Sequence, residues 1–240
     1  MDTHTLILSS EIWEIPKLRH LNVQSYRLPD PLVNDLEGQD FTFLEYLSTL
    51  SSEGFRCIEE VIKRIPNLKK LNESYQRYLG DASDCSLSNL VQLNKLESLS
   101  LKSYSFLEDI TFPTSLKKLS LSSCEIPWEK MTIIGSSLPN LEMVKLNNAF
   151  RGQQWNPTEG EFLRLKVLYI SCCDLMLWGA ADIHFPSLQC LSLERIPLSM
   201  GDIDTLHSIH LDFCSESAIN SAMEMLTEQK ENGMRVFKFM

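Results

Sequence analysis

Cysteine and histidine are the side chains in this sequence that could bind a metal or take part in redox chemistry. The stretch YISCCDL, residues 169–175, places Cys172 and Cys173 side by side. A structural zinc site normally uses CxxC pairs, or cysteines grouped with histidines, and the sequence has neither arrangement. The sequence therefore predicts no metal site, and it favours a structural role for the two thiols over a redox role.

The remaining candidates for catalysis are weak. His207 and His210 are three residues apart, which in a strand places them on opposite faces and makes them a poor pair of ligands. The GxSxG, HExxH and GxxxxGK(S/T) motifs are absent from the sequence. We therefore predict that the chain is not an enzyme and that it carries no cofactor site of its own.

Composition narrows the class of protein. The 240 residues are 43% hydrophobic and 22% charged, which is typical of a globular chain with a sizeable core. The net charge of −10 disfavours binding to nucleic acid. The sequence has neither an 18-residue apolar stretch nor the basic start of a secretory signal, so no membrane contact is predicted. Seven cysteines, an odd number, indicate reduced thiols and a cytoplasmic location.

A repeat organises the elements that position these side chains. In Leu116-Lys-Lys-Leu119-Ser-Leu121 the apolar residues are spaced by three and then by two. Two weaker copies begin at Leu44/Leu47 and Leu68/Leu71, and the nine copies are 18 to 28 residues apart, which is typical of leucine-rich repeats. The other strong copies are Leu18/Leu21/Val23, Leu96/Leu99/Leu101, Leu141/Val144/Leu146, Leu165/Leu168/Ile170, Leu188/Leu191/Leu193 and Leu206/Ile209/Leu211.

This spacing predicts the fold. Residues at i and i+2 of a strand point to the same face, so each copy is a short strand with a leucine side and an open side. One repeat buries roughly 5–9 kcal/mol of leucine side chains, whereas ordering its backbone costs roughly 25–45 kcal/mol. Repeats must therefore stack. We predict an α/β leucine-rich-repeat solenoid, or horseshoe, with a concave parallel sheet, and with short convex helices and loops around Val61/Ile62 and Met131/Ile134.

The sequence also predicts where the regular repeat begins, ends and is interrupted. Repeats are expected over residues 1–214, truncated at the N terminus because THTLIL is similar to the strand of a preceding repeat. A helix–strand cap is expected over residues 215–240, ending in the strand MRVFKF. Residues 72–88 are expected to loop out, because Glu73 occupies a core position. The small buried position three residues after the last leucine holds Cys124, Cys173 and Cys214, which explains the adjacent cysteines structurally.

Several motifs resemble one family. They are SSEIWEIPKLRHL at 9–21, SLPNL at 137–141, NNAF at 147–150, Trp155, GEF at 160–162, Trp178 and HFPSL at 184–188. With these motifs the chain resembles, over nearly its whole length, the C-terminal repeats of plant coiled-coil NLR immune receptors, in the late-blight-resistance and helper-type branch. The resemblance implies a sensor or autoinhibitory module. It also implies that ATP or ADP binds to a nucleotide-binding domain that lies outside this chain.

The repeat register predicts a surface for binding other proteins. It places Lys70, Lys102, Lys118 and Lys145 on the concave face, with Met143, Val167 and Tyr169 beside Lys145. Glu194 and Asp212 are predicted to be the only acidic residues at open-face positions, and Glu194, His210 and Asp212 are expected to lie close together on that face. His210 is either a pH-sensitive contact between two carboxylates or a solvated histidine.

Two interpretations of the lysines stay open. They contact an acidic protein surface, or they only solvate an exposed sheet. If they bind, the resemblance implies as partners the receptor's own nucleotide-binding core, a pathogen effector or a co-receptor. The alternative function is a substrate-recruiting repeat domain of an F-box-type ubiquitin ligase.

Overall fold

The computed structural model describes residues 6–23, 26–27, 29, 44–53, 59–74, 87–102, 111–181, 183–193, 208–211 and 238–239. The chain divides into two compact units, unit 1 (Met1–Leu116) and unit 2 (Lys117–Met240). In each unit the leucine copies form short parallel strands of one main sheet. The predicted leucine-rich-repeat solenoid fold is therefore confirmed.

Unit 1 is built on four parallel strands in the order β2, β4, β5, β6. A second, two-stranded parallel sheet pairs β1 with β3. Helix α1 (Glu59–Arg64) buries Val61 and Ile62, as the helical spacing predicts. The strands are β1 (Leu6–Ile7), β2 (His20–Asn22), β3 (Tyr26–Arg27), β4 (Thr49–Glu53), β5 (Lys70–Ser74) and β6 (Ser98–Lys102), with 3-10 turns at Ser10–Glu14 and Ser88–Gln92.

Unit 2 contains a main sheet in the order β7, β9, β12, β14, β15, β16 and two outer pairs, β8 with β10 and β11 with β13. Helix α2 (Lys130–Ser137) buries Met131 and Ile134, as predicted. Its strands are β7 (Lys118–Ser122), β8 (Ile126–Pro127), β9 (Met143–Asn147), β10 (Phe150–Arg151), β11 (Gln154–Trp155), β12 (Val167–Ser171), β13 (Leu177–Trp178), β14 (Cys190–Leu193), β15 (Ser208–Leu211) and β16 (Lys238–Phe239). Strand β16 lies in the predicted MRVFKF segment, whereas the helix predicted after Ser215 lies outside the described residues.

The leucine core follows the predicted alternation. In β6, β7, β9 and β12 the second and third apolar residues of each copy are at most 3% exposed. A tight turn precedes each strand: the Leu141 amide donates to the Leu138 carbonyl at 3.1 Å, and the Leu165 amide donates to the Phe162 carbonyl at 3.0 Å. These turns bring the first leucine of each copy from Leu47 to Leu188 into the core before the strand begins, whereas Leu18 is half-buried.

One copy was assigned to the wrong frame. Strand pairing places Leu50 beside Leu71 and Ser52 beside Glu73, so the second copy is Leu47/Leu50/Ser52 rather than one beginning at Leu44. The sequence LEYLSTL holds two overlapping leucine pairs, and neither frame has an apolar third residue. Backbone pairing to β5 selects the second frame, and Leu44 is still fully buried just before it.

Glu73 occupies a core position without breaking the repeat. It is 3% exposed, and the hydroxyl of Ser52, itself 4% exposed, donates to its Oε2 at 2.5 Å. The expectation that the loop begins at residue 72 is wrong, because residues 72–74 belong to the regular strand β5. A buried carboxylate is tolerated there because the neighbouring strand supplies a hydroxyl donor. Of the rest of that expectation, residues 75–86 lie outside the described residues, whereas Leu87 is buried and Ser88 begins the 3-10 turn Ser88–Gln92.

The N-terminal strand is also placed differently. Leu6–Ile7 pairs with Tyr26–Arg27 and not with β2, so these two residues are not a strand of the main sheet. The 3-10 turn that follows buries Trp13, whose indole N–H donates to the Pro29 carbonyl at 3.1 Å. Leu6–Ile7 therefore lies in a secondary two-stranded sheet with β3, a pairing of the same kind as that of β8 with β10.

The adjacent cysteines mark a repeated turn. Ser123, Asn148 and Cys172 follow equivalent strands, and all three have a left-handed backbone, with φ of 53°, 47° and 52°. The next position is buried in the first two turns, by Cys124 (0% exposed) and Ala149, which confirms the prediction for Cys124. Cys173 is only half-buried and Cys172 is exposed, so the prediction of a core thiol at Cys173 is too strong. Cys214 lies outside the described residues.

Replacing Ser123 by asparagine should stabilise this turn. Asparagine adopts the left-handed conformation more readily than serine, and Asn148 already occupies the equivalent position. We expect Ser123→Asn to raise the free energy of unfolding by about 0.5 kcal/mol in urea denaturation. Ser122→Asn, one residue earlier in the extended strand β7, is the control and should give no gain. Equal effects of the two changes would contradict the prediction.

Candidate protein-binding surface

The open face of unit 2 is the side of its main sheet that points away from the buried leucines. Strand register sets its side chains in rows that run across the strands. The first row is Lys118, Met143, Val167 and Cys190; the second is Ser120, Lys145, Tyr169 and Ser192; the third is Ser122, Asn147 and Ser171. All five residues predicted for this unit's binding surface before β14 therefore lie on three adjacent strands.

Lys145 and Tyr169 form the centre of this face. They are direct neighbours on β9 and β12, and the Lys145 ammonium lies 4.8 Å from the centroid of the Tyr169 ring. An exposed cation–π contact of this kind contributes about 0.5–1 kcal/mol. Lys145 is exposed and Tyr169 is half-buried, so the aromatic ring limits the directions that the ammonium samples while leaving it open to a partner.

Apolar side chains lie next to the two lysines. Met143 and Val167 are both half-buried and continue the row that begins with the exposed Lys118. Lys118 and Lys145 are diagonal neighbours, with Cα atoms about 8 Å apart from the strand spacing and rise. The face therefore presents two cations beside a short apolar strip.

Carboxylates do not oppose these lysines on the described open face of β7, β9, β12 and β14. Glu142, just before β9, forms an ion pair with Lys166, whose Nζ lies 3.1 Å from the Glu142 Oε2. Both side chains are about half exposed. The third row is neutral and polar, and its Asn147 amide donates to the Ser171 hydroxyl at 3.0 Å. The sequence prediction named none of these three residues as binding residues.

The predicted lysines of unit 1 do not meet. Lys70 begins β5, whereas Lys102 ends the neighbouring strand β6, about 13 Å further along the strand direction. Both are exposed. Register also places Glu53 in the row of Ser74 and Lys102. The prediction that Glu194 and Asp212 are the only acidic residues at open-face positions is therefore wrong. Glu53 was missed because its repeat was read in the wrong frame.

The predicted acidic group at the C-terminal end cannot be placed. His210 pairs with Ser192 through strands β14 and β15, but Glu194 and Asp212 lie outside the described residues, as does the side chain of His210. Within the described part of the chain, no three His, Cys, Asp or Glu side chains are grouped as metal ligands would be. Over the same residues, no helix has the length and apolar character needed to cross a membrane.

The sequence analysis also missed a ladder of tryptophans in unit 2. Trp128, Trp155 and Trp178 stack in series, with ring centroids 5.2 Å and 5.4 Å apart, and each is at most 2% exposed. The Trp128 indole N–H donates to the Gly152 carbonyl at 2.9 Å. The available signal was their spacing of 27 and 23 residues, which matches the repeat. The ladder therefore packs together the three repeats that carry β7, β9 and β12.

Comparison with known proteins gives relatives of one kind. Two late blight resistance protein homologs of Solanum demissum are each 31% identical to the chain over 95% of its length. A late blight resistance protein of the same species is 28% identical over 95% of the chain. The chain spans only 31%, 19% and 18% of the lengths of these three relatives. No protein-family model matches it. The resemblance to plant resistance receptors is confirmed: the chain is homologous to a segment of the late blight resistance proteins.

Proposed function

We propose that this chain is the protein-binding leucine-rich-repeat region of a plant disease-resistance receptor of the NLR class. Homology over 95% of the chain to proteins named for resistance to late blight supports this role. The same names favour the receptor over the F-box ligase alternative. The role is binding rather than catalysis, its expected place is the cytoplasm, and ATP or ADP binding belongs to a domain outside this chain.

The open face of unit 2 is the proposed contact surface. The observation that carries the proposal is the neighbouring placement of Lys118, Met143, Lys145, Val167 and Tyr169, which no described open-face carboxylate neutralises. The chain as a whole has a net charge of −10, so most of its surface repels an acidic protein. The locally basic open face is where an acidic partner would be attracted. The complementary partner is a protein surface with carboxylates beside apolar side chains.

The sources of such a surface are the three partners implied by the resemblance. In the resting receptor it is the nucleotide-binding domain of the same molecule, and contact with it would keep the receptor inactive. In the activated receptor it is a pathogen effector or a co-receptor. We commit to the intramolecular contact as the first test, because a tethered partner has a high effective concentration and needs only modest contacts.

The test reverses both lysines in the full-length receptor. We expect Lys118→Glu with Lys145→Glu to weaken binding of the separately expressed nucleotide-binding domain by at least about tenfold, because like charges then face each other. The same pair should cause cell death in leaves without a pathogen. Binding is measured by quantitative co-precipitation at two salt concentrations, and the loss should be larger at low salt.

A matched pair on another face of unit 2 is the control. Arg151 lies on the outer strand β10 and Arg164 precedes β12; both are exposed, and their reversal changes the charge by the same amount. Arg151→Glu with Arg164→Glu should leave binding and resting behaviour unchanged. Normal repression and binding after reversal of Lys118 and Lys145 would remove the proposed contact surface. Reversal of Lys102 alone tests whether the open face of unit 1 also takes part.

A further inference from the structure

A six-residue segment of unit 2, residues 158–163, is held by aromatic packing but also contains a buried carboxylate and a strained backbone; we call it the strap. It lies between the outer strand β11 and the main-sheet strand β12. The Glu161 amide donates to the Thr158 carbonyl at 3.3 Å, so the strap is a single turn. Glu161 and Phe162 are 3% and 2% exposed, whereas the next residue, Leu163, is 54% exposed. The strap is therefore inserted into the protein by only two side chains.

Glu161 opposes this insertion. Both of its carboxylate oxygens are buried, and neither has a hydrogen-bond partner in the described part of the chain. Burial of a carboxylate without a donor or a counterion is strongly unfavourable, in contrast to Glu73, which receives the Ser52 hydroxyl. Within the same cluster the Trp155 indole nitrogen is also buried without a partner in the described residues. The described interior therefore supplies the Glu161 carboxylate with no hydrogen-bond donor.

The backbone of the strap is strained as well. Phe162 has a φ of 47°, a left-handed conformation that is an outlier for a bulky residue. Gly160, two residues earlier, has a φ of 87°, which glycine adopts without strain. The conformational cost therefore falls on Phe162, the residue that anchors the strap.

Aromatic packing holds the strap closed. The Phe162 ring meets Trp155 edge-to-face at 6.0 Å and stacks on Phe185 at 5.5 Å. Helix α2 leaves room for it at Gly135, where an added Cβ would lie 2.6 Å from the Phe162 ring and 2.9 Å from the Cβ of Glu161. The closed strap therefore depends on a ring anchor and on the absence of a side chain at position 135.

We propose that the strap is a latch, which opens before the rest of unit 2 unfolds. Opening carries Glu161 into water, releases the strained backbone of Phe162 and uncovers the aromatic rings of Trp155 and Phe185. The driving force is hydration of a buried carboxyl group that has no hydrogen-bond partner among the described residues, and the restraint is the Phe162 anchor. This device is independent of the lysine surface, because none of the residues of the open face takes part in it.

The test is native-state hydrogen exchange on the whole chain. Glu161→Gln replaces the ionisable carboxyl group by a neutral amide, and Glu161→Met removes the polar atoms at similar size. We expect each to slow exchange of the hydrogen-bonded amides of residues 161 and 165 at least tenfold, with a smaller change in strands β7 and β9. Gly135→Ala should speed exchange of the same amides, because the strap must shift to make room.

Glu159→Gln is the matched control, since Glu159 is an exposed carboxylate in the same strap. It should leave the exchange rates unchanged. If neither Glu161 variant slows exchange in the strap, or if both slow exchange equally throughout unit 2, the latch is refuted. Because the Glu161 variants remove an unfavourable burial, the test does not depend on whether Gly135→Ala folds.

Discussion

We expect replacement of Trp155 by alanine to lower the free energy of unfolding by about 3–5 kcal/mol, the range for a fully buried large aromatic residue. Trp155 is the middle rung of the tryptophan ladder, stacked between Trp128 and Trp178. It also receives the edges of Phe162 and Phe185, at 6.0 Å and 5.7 Å. Its removal leaves a cavity lined by four aromatic rings, which the stacked repeats cannot close without moving several of them. Urea denaturation of the chain measures the change.

Two variants separate packing from simple loss of an aromatic residue. Trp155→Phe keeps part of the stack and should cost about 1–2 kcal/mol. Tyr46→Ala removes an aromatic side chain that is 56% exposed and should change stability by less than about 0.5 kcal/mol. A cost for Trp155→Ala no greater than that for Tyr46→Ala would show that the ladder does not stabilise the repeats.

The second large effect is expected at the buried polar pair of unit 1. Replacing Ser52 by alanine leaves the Glu73 carboxylate, 3% exposed, without the donor that lies 2.5 Å from its Oε2. Loss of a hydrogen bond to a buried charged group costs about 1.5–3 kcal/mol, and we expect Ser52→Ala to fall in that range. Thermal and urea unfolding of the chain measure the loss.

The neighbouring residue supplies the control, and a double variant supplies the rescue. Ser51 lies on the same strand but points to the open face and is half-buried, so Ser51→Ala should be nearly neutral. Ser52→Ala with Glu73→Leu replaces both partners by apolar groups and restores the usual leucine at that position, which should recover most of the stability. A double variant less stable than Ser52→Ala alone would mean that Glu73 contributes more than its bond to Ser52.

The lysine surface shows how far a periodic sequence predicts a site. Because residues two apart in a strand share a face, the leucine triplets were enough to place Lys118, Met143, Lys145, Val167 and Tyr169 on three neighbouring strands. The 4.8 Å contact between Lys145 and Tyr169 was not predictable, because it depends on the side-chain conformations of two strands that are 24 residues apart in the chain. Whether this surface binds a partner stays a proposal.

The errors arose where the leucine pattern is ambiguous or interrupted. LEYLSTL allowed two frames, and the wrong one hid both the Ser52–Glu73 pair and the open-face position of Glu53. Glu73 looked like an interruption because a lone buried carboxylate is unfavourable, and its donor comes from the preceding repeat. Both features depend on which strand lies alongside, which the spacing within one repeat does not specify.

By itself, the sequence determined the repeat, the strand faces, the two helices and the likeness to plant resistance proteins. These follow from local spacing and from motifs, and local spacing decides which side of a strand each residue occupies. Only the tertiary structure decided the frame of the second repeat, the stacking of three tryptophans and the burial of Glu161 without a partner. Such features arise where one repeat packs on the next, because burial and hydrogen bonding there depend on side chains that are distant in the chain.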